Sequence, residues 1–469
     1  MDNIDVIVVG AGTAGIAAAI AAQENGARTA ILEKGPNIGW TNTCRAGGNI
    51  SIAVENRMRK QFYKMSAEEK AAEALELTGG HCDPDLIRTW RENIDNTIVW
   101  LEKWGIQWTR DSANSPVARH AEGKGAGLAK QLVNLAEKAG VKAYFSTKAE
   151  KLLLDDRGRI AGVTAKTPAG LQNYPAAAVV LATAGFQANH EMLLKYLGPE
   201  FTYGAKLTGS PHSTGDGHIM ASDIGAQMIN LDQFHTRTID KSWRTGSTGS
   251  PGPVRNLPNL YPCAILVNRA GQRFMDEATT SNTIACSILK QPEATVAMIF
   301  DEKTRLLHPD EVQNYKPANV IVKAGSIEEL AQKIEAPYAT LLETLQSFNK
   351  AVDEGKAAAL PVPKRKFACK VESPPFYAIY PLWSGLNCTL GGVKIDEGSR
   401  VLDRDSNPIP GLYAAGEMIG GFFFGKYQMG PGGEISYQGN YQVTTSSISA
   451  CVVFGRIAGN NAASLAKSR

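Results

Sequence analysis

The sequence lacks the long apolar runs and the charge bias that mark membrane and nucleic-acid proteins. The uncharged run from Val6 to Ala22 is shorter than the roughly 20 apolar residues of a membrane-spanning helix. Asp2 and Asp5 precede that run, whereas a secretion signal begins with a basic segment. A net charge of +3 with 20% charged residues implies no electrostatic footprint for nucleic acid. We therefore expect no membrane segment and no nucleic-acid partner.

The chain also lacks the cysteine spacing of metal and haem sites. Its seven cysteines are scattered, and no two of them form a CxxC or CxxCH pair. This spacing argues against a zinc ribbon, an iron–sulfur cluster and a covalently attached haem. Reduced thiols of this kind are typical of the cytosol, so we expect a cytoplasmic protein without a bound metal.

What the chain does have is a dinucleotide-binding pattern near its start. The stretch Val6–Val9 predicts a strand, and it is followed by Gly10-x-Gly12-x-x-Gly15 and by an alanine-rich, helix-compatible segment. In such a unit the first glycine makes a tight turn, the second lets a pyrophosphate approach the backbone, and the third lets helix and strand pack closely. The free N–H groups at the start of the helix face the phosphates.

A second strand and an acidic residue complete this pattern. A break at Gly26 precedes the strand-like residues Thr29 to Leu32, and Glu33 comes next. An acid at this position accepts hydrogen bonds from the adenosine ribose hydroxyls. A GxGxxG sequence alone is weak evidence, but here both strands, the helix and the acid all fit. The sequence therefore predicts one βαβ dinucleotide-binding unit of about 30 residues.

Later segments alternate between helical and extended patterns. Apolar spacing predicts helices between Ala67 and Trp104, and Asp156-Arg157-Gly158 predicts the turn of a hairpin. Ser326-x-x-Glu329 has the form of a capping box and predicts the start of a helix. The Gly/Ser/Pro-rich stretch from Ser242 to Asn259 fits either a substrate-covering loop or an ordinary surface loop.

Collinear motifs along the chain resemble those of the fumarate reductase/succinate dehydrogenase flavoprotein family. Beyond the glycine-rich start, they are LATAGFQAN (181–189), STGDGHIMASDIGA (213–226), ILVNRAGQRFMDE (265–277), TLGGVKID (389–396) and GLYAAGEMIGG (411–421). A closing FGRIAG follows at 454–459. The order and spacing of these motifs extend the resemblance over nearly the whole chain.

This resemblance implies an α/β fold with a Rossmann-like FAD-binding domain and an inserted α+β capping domain. The FAD-binding domain would be discontinuous, with residues 1–232 and 386–469, and the capping domain would span 233–385. The cap would close over the flavin ring and exclude water. Because the sequence shows no haem site, electrons would pass to or from an external donor or acceptor.

The resemblance also implies that FAD is bound non-covalently, since Thr41 stands where flavin-linking members carry a histidine. Glu417 would lie against the ribityl–pyrophosphate region, and Gly391 and Gly392 would let the flavin edge approach the backbone. The expected FAD-binding residues are Gly10, Gly12, Gly15, Glu33, Lys34, Thr41, Asn42, Thr43, Gly47, Gly48, Ala149, Ala182, Gly185, Asp216, Gly391, Gly392, Glu417 and Ile448.

For catalysis, the resemblance places Arg305 at the position of the family's proton-donating arginine. A guanidinium with a pKa above roughly 12 is a poor acid in an ordinary site, and the alternative is a surface arginine on a helix. The family's proton-relay pair, a glutamate followed by an arginine, corresponds to Glu277 and Ser281. His235 matches one carboxylate-binding histidine, and the alternative is a structural histidine at a domain junction.

Two other substrate-binding positions of the family are changed in this sequence. Asn387 or Cys388 replaces the second carboxylate-binding histidine, and Gln442 replaces the substrate-binding arginine. Losing these charge-assisted hydrogen bonds weakens any grip on two carboxylates. We therefore expect a substrate that is not a simple C4 dicarboxylate.

Aromatic residues are concentrated where the charges are lost. They form either a wall for a larger, flatter substrate or the packing of an added loop; they are Phe422, Phe423, Phe424, Tyr427, Tyr437 and Tyr441. The 3-ketosteroid dehydrogenases, which are similar to this sequence here, use tyrosines to hold a ketone and move protons. Tyr441 or Tyr437 is therefore a candidate acid.

The expected function is that of an FAD-dependent oxidoreductase acting on CH–CH groups. It would reduce an activated C=C bond, or a related conjugated system, of a ring-bearing or ketone-type small molecule by hydride transfer from flavin N5 and side-chain proton transfer. The alternatives are a desaturating dehydrogenase of the 3-ketosteroid or tricarballylate type, an isoflavonoid or phenolic reductase, and a non-catalytic electron carrier. The cap and the retained Arg305 and His235 argue against a carrier.

Overall fold

The computed structural model describes residues 4–52, 55–56, 61–62, 64–110, 118–243, 260–314, 320–431, 435–439 and 447–469. The helices of these segments, numbered in chain order, are α1 (Thr13–Glu24), α2 (Ala67–Thr78), α3 (Pro84–Trp104), α4 (Lys124–Lys138), α5 (His190–Tyr196), α6 (Asp216–Asp223), α7 (Leu260–Cys263), α8 (Ser281–Ile288), α9 (Glu302–Leu307), α10 (Pro309–Asn314), α11 (Ile327–Lys333), α12 (Tyr338–Asp353) and α13 (Ser447–Ser468).

The strands of the same segments are mostly short, and the longest has 14 residues. They are β1 (Val6–Val9), β2 (Thr29–Leu32), β3 (Asn49–Ser51), β4 (Glu55–Asn56), β5 (Gln61–Phe62), β6 (Ala118–His120), β7 (Lys142–Tyr144), β8 (Lys148–Leu154), β9 (Ile160–Thr167), β10 (Gly170–Pro175), β11 (Ala178–Leu181), β12 (Lys206–Leu207), β13 (Met228–Ile229), β14 (Phe234–Asp240), β15 (Ile265–Asn268), β16 (Thr295–Asp301), β17 (Ile321–Ala324), β18 (Phe376–Thr389), β19 (Gly392–Val393), β20 (Arg400–Leu402), β21 (Pro408–Ala414), β22 (Gly425–Met429) and β23 (Ile435–Gly439).

Local sequence signals define the ends of the second and third helices. Helix α2 begins with a capping box between Ser66 and Glu69, and Gly79 ends it in a left-handed conformation. Helix α3 begins after Asp83, whose side chain accepts a hydrogen bond from the Asp85 amide, and ends at Gly105. The predicted helical region from residue 67 to 104 is therefore two helices, because the chain turns between these caps.

A six-stranded sheet with parallel central strands forms the base of the molecule. Its strand order is β20-β21-β11-β1-β2-β7, and only β20 pairs antiparallel within it. All residues of β1, β2 and β11 are buried, as expected for strands covered on both faces. This sheet confirms the predicted βαβ unit, in which β1, α1 and β2 follow one another.

The last helix, α13, packs along α1 and joins the two ends of the chain. Two glycines of α13 make this close approach possible. A Cβ atom on Gly455 would lie 2.3 Å from the Ala14 carbonyl oxygen, and one on Gly459 would lie 2.1 Å from the Ala18 carbonyl oxygen. The first and last segments therefore form one unit around the parallel sheet.

The second large sheet is built around β18, a strand of 14 residues. Strands β12, β14, β16 and β17 all pair with β18, and β15 pairs with β16. The side chains of β15 alternate between two cores, with Leu266 on one face of the sheet and Ile265 and Val267 on the other. In the sequence, helices α8, α9, α11 and α12 lie between strands β14 and β18 of this sheet.

These two units confirm the predicted fold class, an α/β flavoprotein fold with an inserted α+β part. The domain boundaries, 1–232 with 386–469 and 233–385, stay a prediction. Strand β18 runs across the predicted boundary between residues 385 and 386. It is thus continuous between the inserted sheet and the TLGG segment.

The α1–α13 contact generates a prediction about stability. The substitution Gly459→Ala should lower the free energy of unfolding by about 1–3 kcal/mol, because the new methyl group would overlap the Ala18 carbonyl. Chemical denaturation measures this change. Ser464→Ala, at an exposed position of the same helix, is the control, and equal stability of the two variants would contradict the close packing described here.

Candidate active site

The glycine-rich loop after β1 is shaped by contacts that differ from glycine to glycine. Gly10 has a positive φ of 104°, and a Cβ atom there would lie 2.4 Å from the Ala182 carbonyl oxygen. A Cβ atom on Gly15 would lie 1.9 Å from the Gly10 carbonyl oxygen. At Gly12, by contrast, the nearest atom would be Thr43 Oγ1 at 3.7 Å. The open side of this loop is therefore at Gly12, where α1 begins.

Glu33 is buried at the end of β2 and turns back towards this loop. Its Oε2 atom accepts a hydrogen bond from the Ala11 amide at 2.8 Å, and its Oε1 atom accepts one from the Gly35 amide at 2.7 Å. These bonds orient both oxygens, and each keeps capacity for a further donor. This geometry suits the predicted contact with ribose hydroxyls.

The loop after β2 folds into two 3₁₀ turns, Ile38–Trp40 and Asn42–Arg45, against the start of α1. Thr43 Oγ1 accepts a hydrogen bond from the Thr13 amide at 3.0 Å. Asn42 Nδ2 donates to Glu417 Oε2 at 2.8 Å. This loop is thereby tied both to the βαβ unit and to the AAGEM segment.

Burial raises the pKa of Glu417 to about 7, although hydrogen bonds from Asn42 and Ser447 oppose the shift. Around neutral pH this carboxyl group therefore exists in both its protonated and its ionised form. Its protonated form can donate a hydrogen bond, whereas its ionised form only accepts.

A cavity of about 490 Å³ connects these elements to the sheet of β18. At one end it is lined by Gly10, Gly12 and Glu33, and at the other by His235, Arg237 and Asn387. All of these residues surround one continuous space.

Three side chains from two paired strands form the far end of the cavity. His235 and Arg237 lie two residues apart on β14, so both side chains point to the same face of the sheet. His235 pairs with Cys388 and Thr236 with Leu386, which leaves Asn387 as the extra residue of a β-bulge. The Arg237 Nη2 atom donates a hydrogen bond to Asn387 Oδ1 at 2.9 Å.

The cavity fits FAD on two observations besides its extent. The space over Gly12 is the kind of opening through which a pyrophosphate reaches backbone N–H groups. Arg45 lines the cavity, is 5% exposed, and its Nε atom has no hydrogen-bond partner among the residues that the structure describes. A buried donor of this kind is suited to an acceptor on a bound molecule.

Most of the predicted FAD-binding residues line this cavity. They are Gly10, Gly12, Glu33, Lys34, Thr41, Asn42, Thr43, Gly47, Ala149, Ala182, Asp216, Glu417 and Ile448. Two of them also contact each other, since Lys34 Nζ lies 2.6 Å from Asp216 Oδ2. Their contacts with FAD itself stay a prediction.

The other five predicted residues are glycines beside the cavity rather than on its surface; they are Gly15, Gly48, Gly185, Gly391 and Gly392. At Gly391 a Cβ atom would lie 1.9 Å from the Asn230 carbonyl oxygen, and at Gly392 one would lie 1.7 Å from the Met418 carbonyl oxygen. The close approach that requires glycine at these two positions is therefore to the protein's own backbone.

Of the predicted catalytic residues, the structure places only His235 on the cavity surface among those it describes. Arg305 lies on α9 outside the cavity lining, where its guanidinium forms a two-point ion pair with Glu302. Glu277 is buried in ion pairs with Arg273 and Lys364. This placement of Arg305 agrees with the alternative interpretation, an arginine on the surface of a helix rather than a catalytic acid.

The described members of the aromatic cluster also lie outside the cavity lining. The Tyr437 hydroxyl donates a hydrogen bond to the Phe234 carbonyl at 2.8 Å, and burial raises its pKa well above the ordinary value. Phe422 and Phe423 are buried in the main core. This placement agrees with the packing alternative, and Tyr441 and Gln442 lie outside the described residues, as does the loop from residue 244 to 259.

Sequence reasoning missed Arg237 and Arg45 as cavity residues. Thr236 and Arg237 stand where the family usually has Pro-Thr after the histidine, and this departure was the only sequence signal of Arg237. The period of two along a strand would place it on the same face as His235. Arg45 had no signal beyond its position in the loop after β2.

Two absences apply to the described part of the chain. Within it, no helix combines the length and hydropathy needed to span a bilayer. Over the same residues, no group of three or more His, Cys, Asp or Glu side chains is arranged to hold a metal ion.

The contrast between two glycines of the loop gives a test of the dinucleotide site. Gly12→Ala should leave the stability of the flavin-free protein nearly unchanged, because Gly12 has an ordinary φ of −70° and an open side. It should weaken FAD binding by at least about tenfold, because the methyl group would occupy the pyrophosphate approach. Gly15→Ala should instead lower the melting temperature. FAD titration and thermal unfolding of both variants measure this, and unchanged FAD affinity in Gly12→Ala would contradict the assignment.

The raised pKa of Glu417 predicts a pH-dependent stability of the flavin-free protein. Because the folded state keeps a proton that the unfolded chain loses above its ordinary pKa of 4.5, the stabilisation is full below that pH and is lost as the pH rises through about 7. The expected loss is about 3 kcal/mol over this range, at about 1.4 kcal/mol per pH unit.

Chemical denaturation between pH 5 and pH 8 measures this loss. Glu417→Gln should flatten the pH dependence, whereas Glu150→Gln, at an exposed position, should not. An equally steep dependence in Glu417→Gln would show that another group is responsible.

Known proteins share the sequence pattern and the fold of this chain. The family model for the FAD binding domain matches residues 5–433. A urocanate reductase of Eggerthella lenta is 33% identical over 483 residues, which cover 99% of this chain and 75% of that protein. The open conformation of a flavocytochrome c3 fumarate reductase has a TM-score of 0.77 and 29% identity, covering 99% of this chain and 78% of that one.

A 3-ketosteroid Δ4-(5α)-dehydrogenase from Rhodococcus jostii RHA1, solved with 4-androstene-3,17-dione, has a TM-score of 0.69 and 25% identity, covering 98% of this chain and 97% of that one. These matches confirm the resemblance derived from the motifs. The chain therefore belongs to the FAD binding domain family and is a flavoprotein oxidoreductase related to the fumarate reductases.

Proposed function

We propose that this protein reduces an activated C=C bond of a ring-bearing small molecule that is not a simple C4 dicarboxylate. The observation that carries the proposal is the single cavity that joins Gly12 and Glu33 to His235, Arg237 and Asn387. A dinucleotide and a substrate would share this space. The similarity to a urocanate reductase supports a ring-bearing alkene.

The chain's own residues would hold FAD without a covalent bond. Gly12 and the first turn of α1 would bind the pyrophosphate. Glu33 would bind the adenosine ribose, and the Asn42–Arg45 turn with Glu417 would surround the ribityl chain and the ring. When bound and reduced, FAD supplies a hydride from N5 to one carbon of the alkene. An external donor would supply the electrons, and we place the protein in the cytoplasm.

We assign the transfer of the proton to His235. It is 1% exposed, lines the cavity and lies beside Arg237. Imidazole gains and loses protons near neutral pH, whereas a guanidinium does not. His235 would therefore protonate the carbon next to the one that receives the hydride.

The function is tested by anaerobic spectroscopy of the purified, FAD-loaded protein. The flavin is reduced with dithionite and then mixed with urocanate, fumarate, a 3-ketosteroid enone or a vinyl phenol. We expect reoxidation by a ring-bearing alkene at least about tenfold faster than by fumarate. Equal or faster reoxidation by fumarate would contradict the substrate assignment, and no reoxidation by any alkene would contradict the reductase assignment.

His235→Gln should lower the turnover of the best substrate by about 100-fold or more, because the proton donor would be lost. Its FAD content should match that of the wild type. Steady-state rates with the best substrate and the flavin absorbance of the purified variant measure these two quantities. His308→Gln, a histidine outside the cavity lining, is the control. A wild-type turnover rate in His235→Gln would show that His235 is not the proton donor.

A further inference from the structure

Arg237 brings a cationic group to the cavity surface beside His235, at a position that was not predicted to bind substrate. It is 6% exposed and lies on β14, two residues after His235. Its Cζ atom lies 5.1 Å from the centroid of the Trp243 ring. The aromatic face and the buried strand together hold the guanidinium at a defined place.

The bulge in β18 determines how this guanidinium is oriented. Asn387 is the extra residue between Leu386 and Cys388, and its side chain lines the cavity. Its Oδ1 atom accepts a hydrogen bond from Arg237 Nη2 at 2.9 Å. A neutral amide of this kind fixes the direction of the guanidinium without cancelling its charge.

The acidic side chains of the cavity lining are engaged elsewhere. Glu33 accepts hydrogen bonds from the Ala11 and Gly35 amides, and Asp216 pairs with Lys34. Glu417 accepts a hydrogen bond from Asn42. Each of these three acids therefore has a hydrogen-bond or ion-pair partner other than Arg237.

We propose that Arg237 binds the carboxylate of the substrate, and that Asn387 positions Arg237 for this contact. A guanidinium presents a planar fork of donors that matches the two oxygens of a carboxylate. This inference rests on the proposed reductase function and narrows it. The substrate is an alkenoic acid with one carboxylate, rather than a neutral ketone or a neutral vinyl arene.

The same contact bears on dicarboxylates. One carboxylate would pair with Arg237, whereas the sequence lacks the second histidine and the arginine with which the family binds the other carboxylate. A ring in place of the second carboxylate avoids burying a charge that lacks a counter-ion. The arrangement therefore favours a monoanion with an uncharged remainder.

The test compares acids with their amides, which differ in charge but hardly in shape. The oxidised, FAD-loaded protein is titrated with acrylate, crotonate, trans-cinnamate and urocanate and with the four matching carboxamides, and the change in flavin absorbance is followed. We expect the best acid to bind about 10- to 100-fold more tightly than its amide. No preference for any acid over its amide would overturn the proposal.

Variants separate the roles of the two residues. Arg237→Gln should abolish the preference for the acid, and Arg237→Lys should retain part of it, because an ammonium keeps the charge but not the fork. Asn387→Asp keeps the shape but places an anion beside Arg237, so it should also abolish the preference while the amide binds as before. Arg400→Gln, at an exposed arginine paired with Asp396, is the matched control.

FAD content and melting temperature show whether each variant is folded, and the rate of alkene reduction tests the proposed function separately from carboxylate binding. If the wild type reduces amides and acids equally well, and Arg237→Gln does the same, the reductase function stands and the carboxylate contact is wrong. If no alkene is reduced although acids bind more tightly than amides, the reductase function is wrong while Arg237 remains an anion site.

Discussion

The close contact between α1 and α13 is the constraint on which the rest of the structure depends. Gly15 lets α1 approach the loop at Gly10, and Gly455 and Gly459 let α13 approach α1 from the other side. Backbone-to-backbone contact of this kind leaves no room for side chains, so the geometry is rigid. The dinucleotide loop therefore belongs to a unit that segments from both ends of the chain build together.

Because the two ends of the chain meet in one unit, the chain leaves the parallel sheet after β11 and returns to it at β20. Strand β18 makes the return, since it belongs to the inserted sheet at Phe376 and reaches the TLGG segment at Thr389. The bulge at Asn387 lies near the end of this path, where β18 approaches the cavity. The part of the cavity lined by His235, Arg237 and Asn387 is thus formed by the paired strands β14 and β18, and a change in their register would alter it directly.

The sequence predicted best those features that depend on neighbouring residues. The order of β1, α1 and β2 follows from a pattern of about 30 residues. The predicted helix start at Ser326 is confirmed, since Ser326 Oγ accepts a hydrogen bond from the Glu329 amide, although the Glu329 carboxylate accepts its bond from the Gly325 amide rather than from Ser326. Gly391 and Gly392 were predicted to let the flavin edge approach the backbone, and that contact stays a prediction. The structure shows a different reason for glycine at both positions, the close approach of the Asn230 and Met418 carbonyls, which are distant in sequence.

Features that depend on distant pairing were not predicted. The hydrogen bond between Arg237 and Asn387 joins residues 150 positions apart, and the bulge that aims Asn387 has no local signature. Aromatic composition likewise does not distinguish a pocket wall from a core. The Tyr437 hydroxyl donates a hydrogen bond to the Phe234 carbonyl. This bond forms only because the β22–β23 hairpin packs on β14.

The distribution of charge along the cavity connects stability with specificity. Burial raises the pKa of the Glu417 carboxyl group to about 7, whereas the Arg237 guanidinium keeps its charge. Burying a permanent cation opposes folding, and the contacts of Arg237 with Trp243 and Asn387 offset that penalty. If Arg237 binds a carboxylate as proposed, the bound anion would stabilise the folded protein further, and the site would discriminate between ligands by charge as well as by shape.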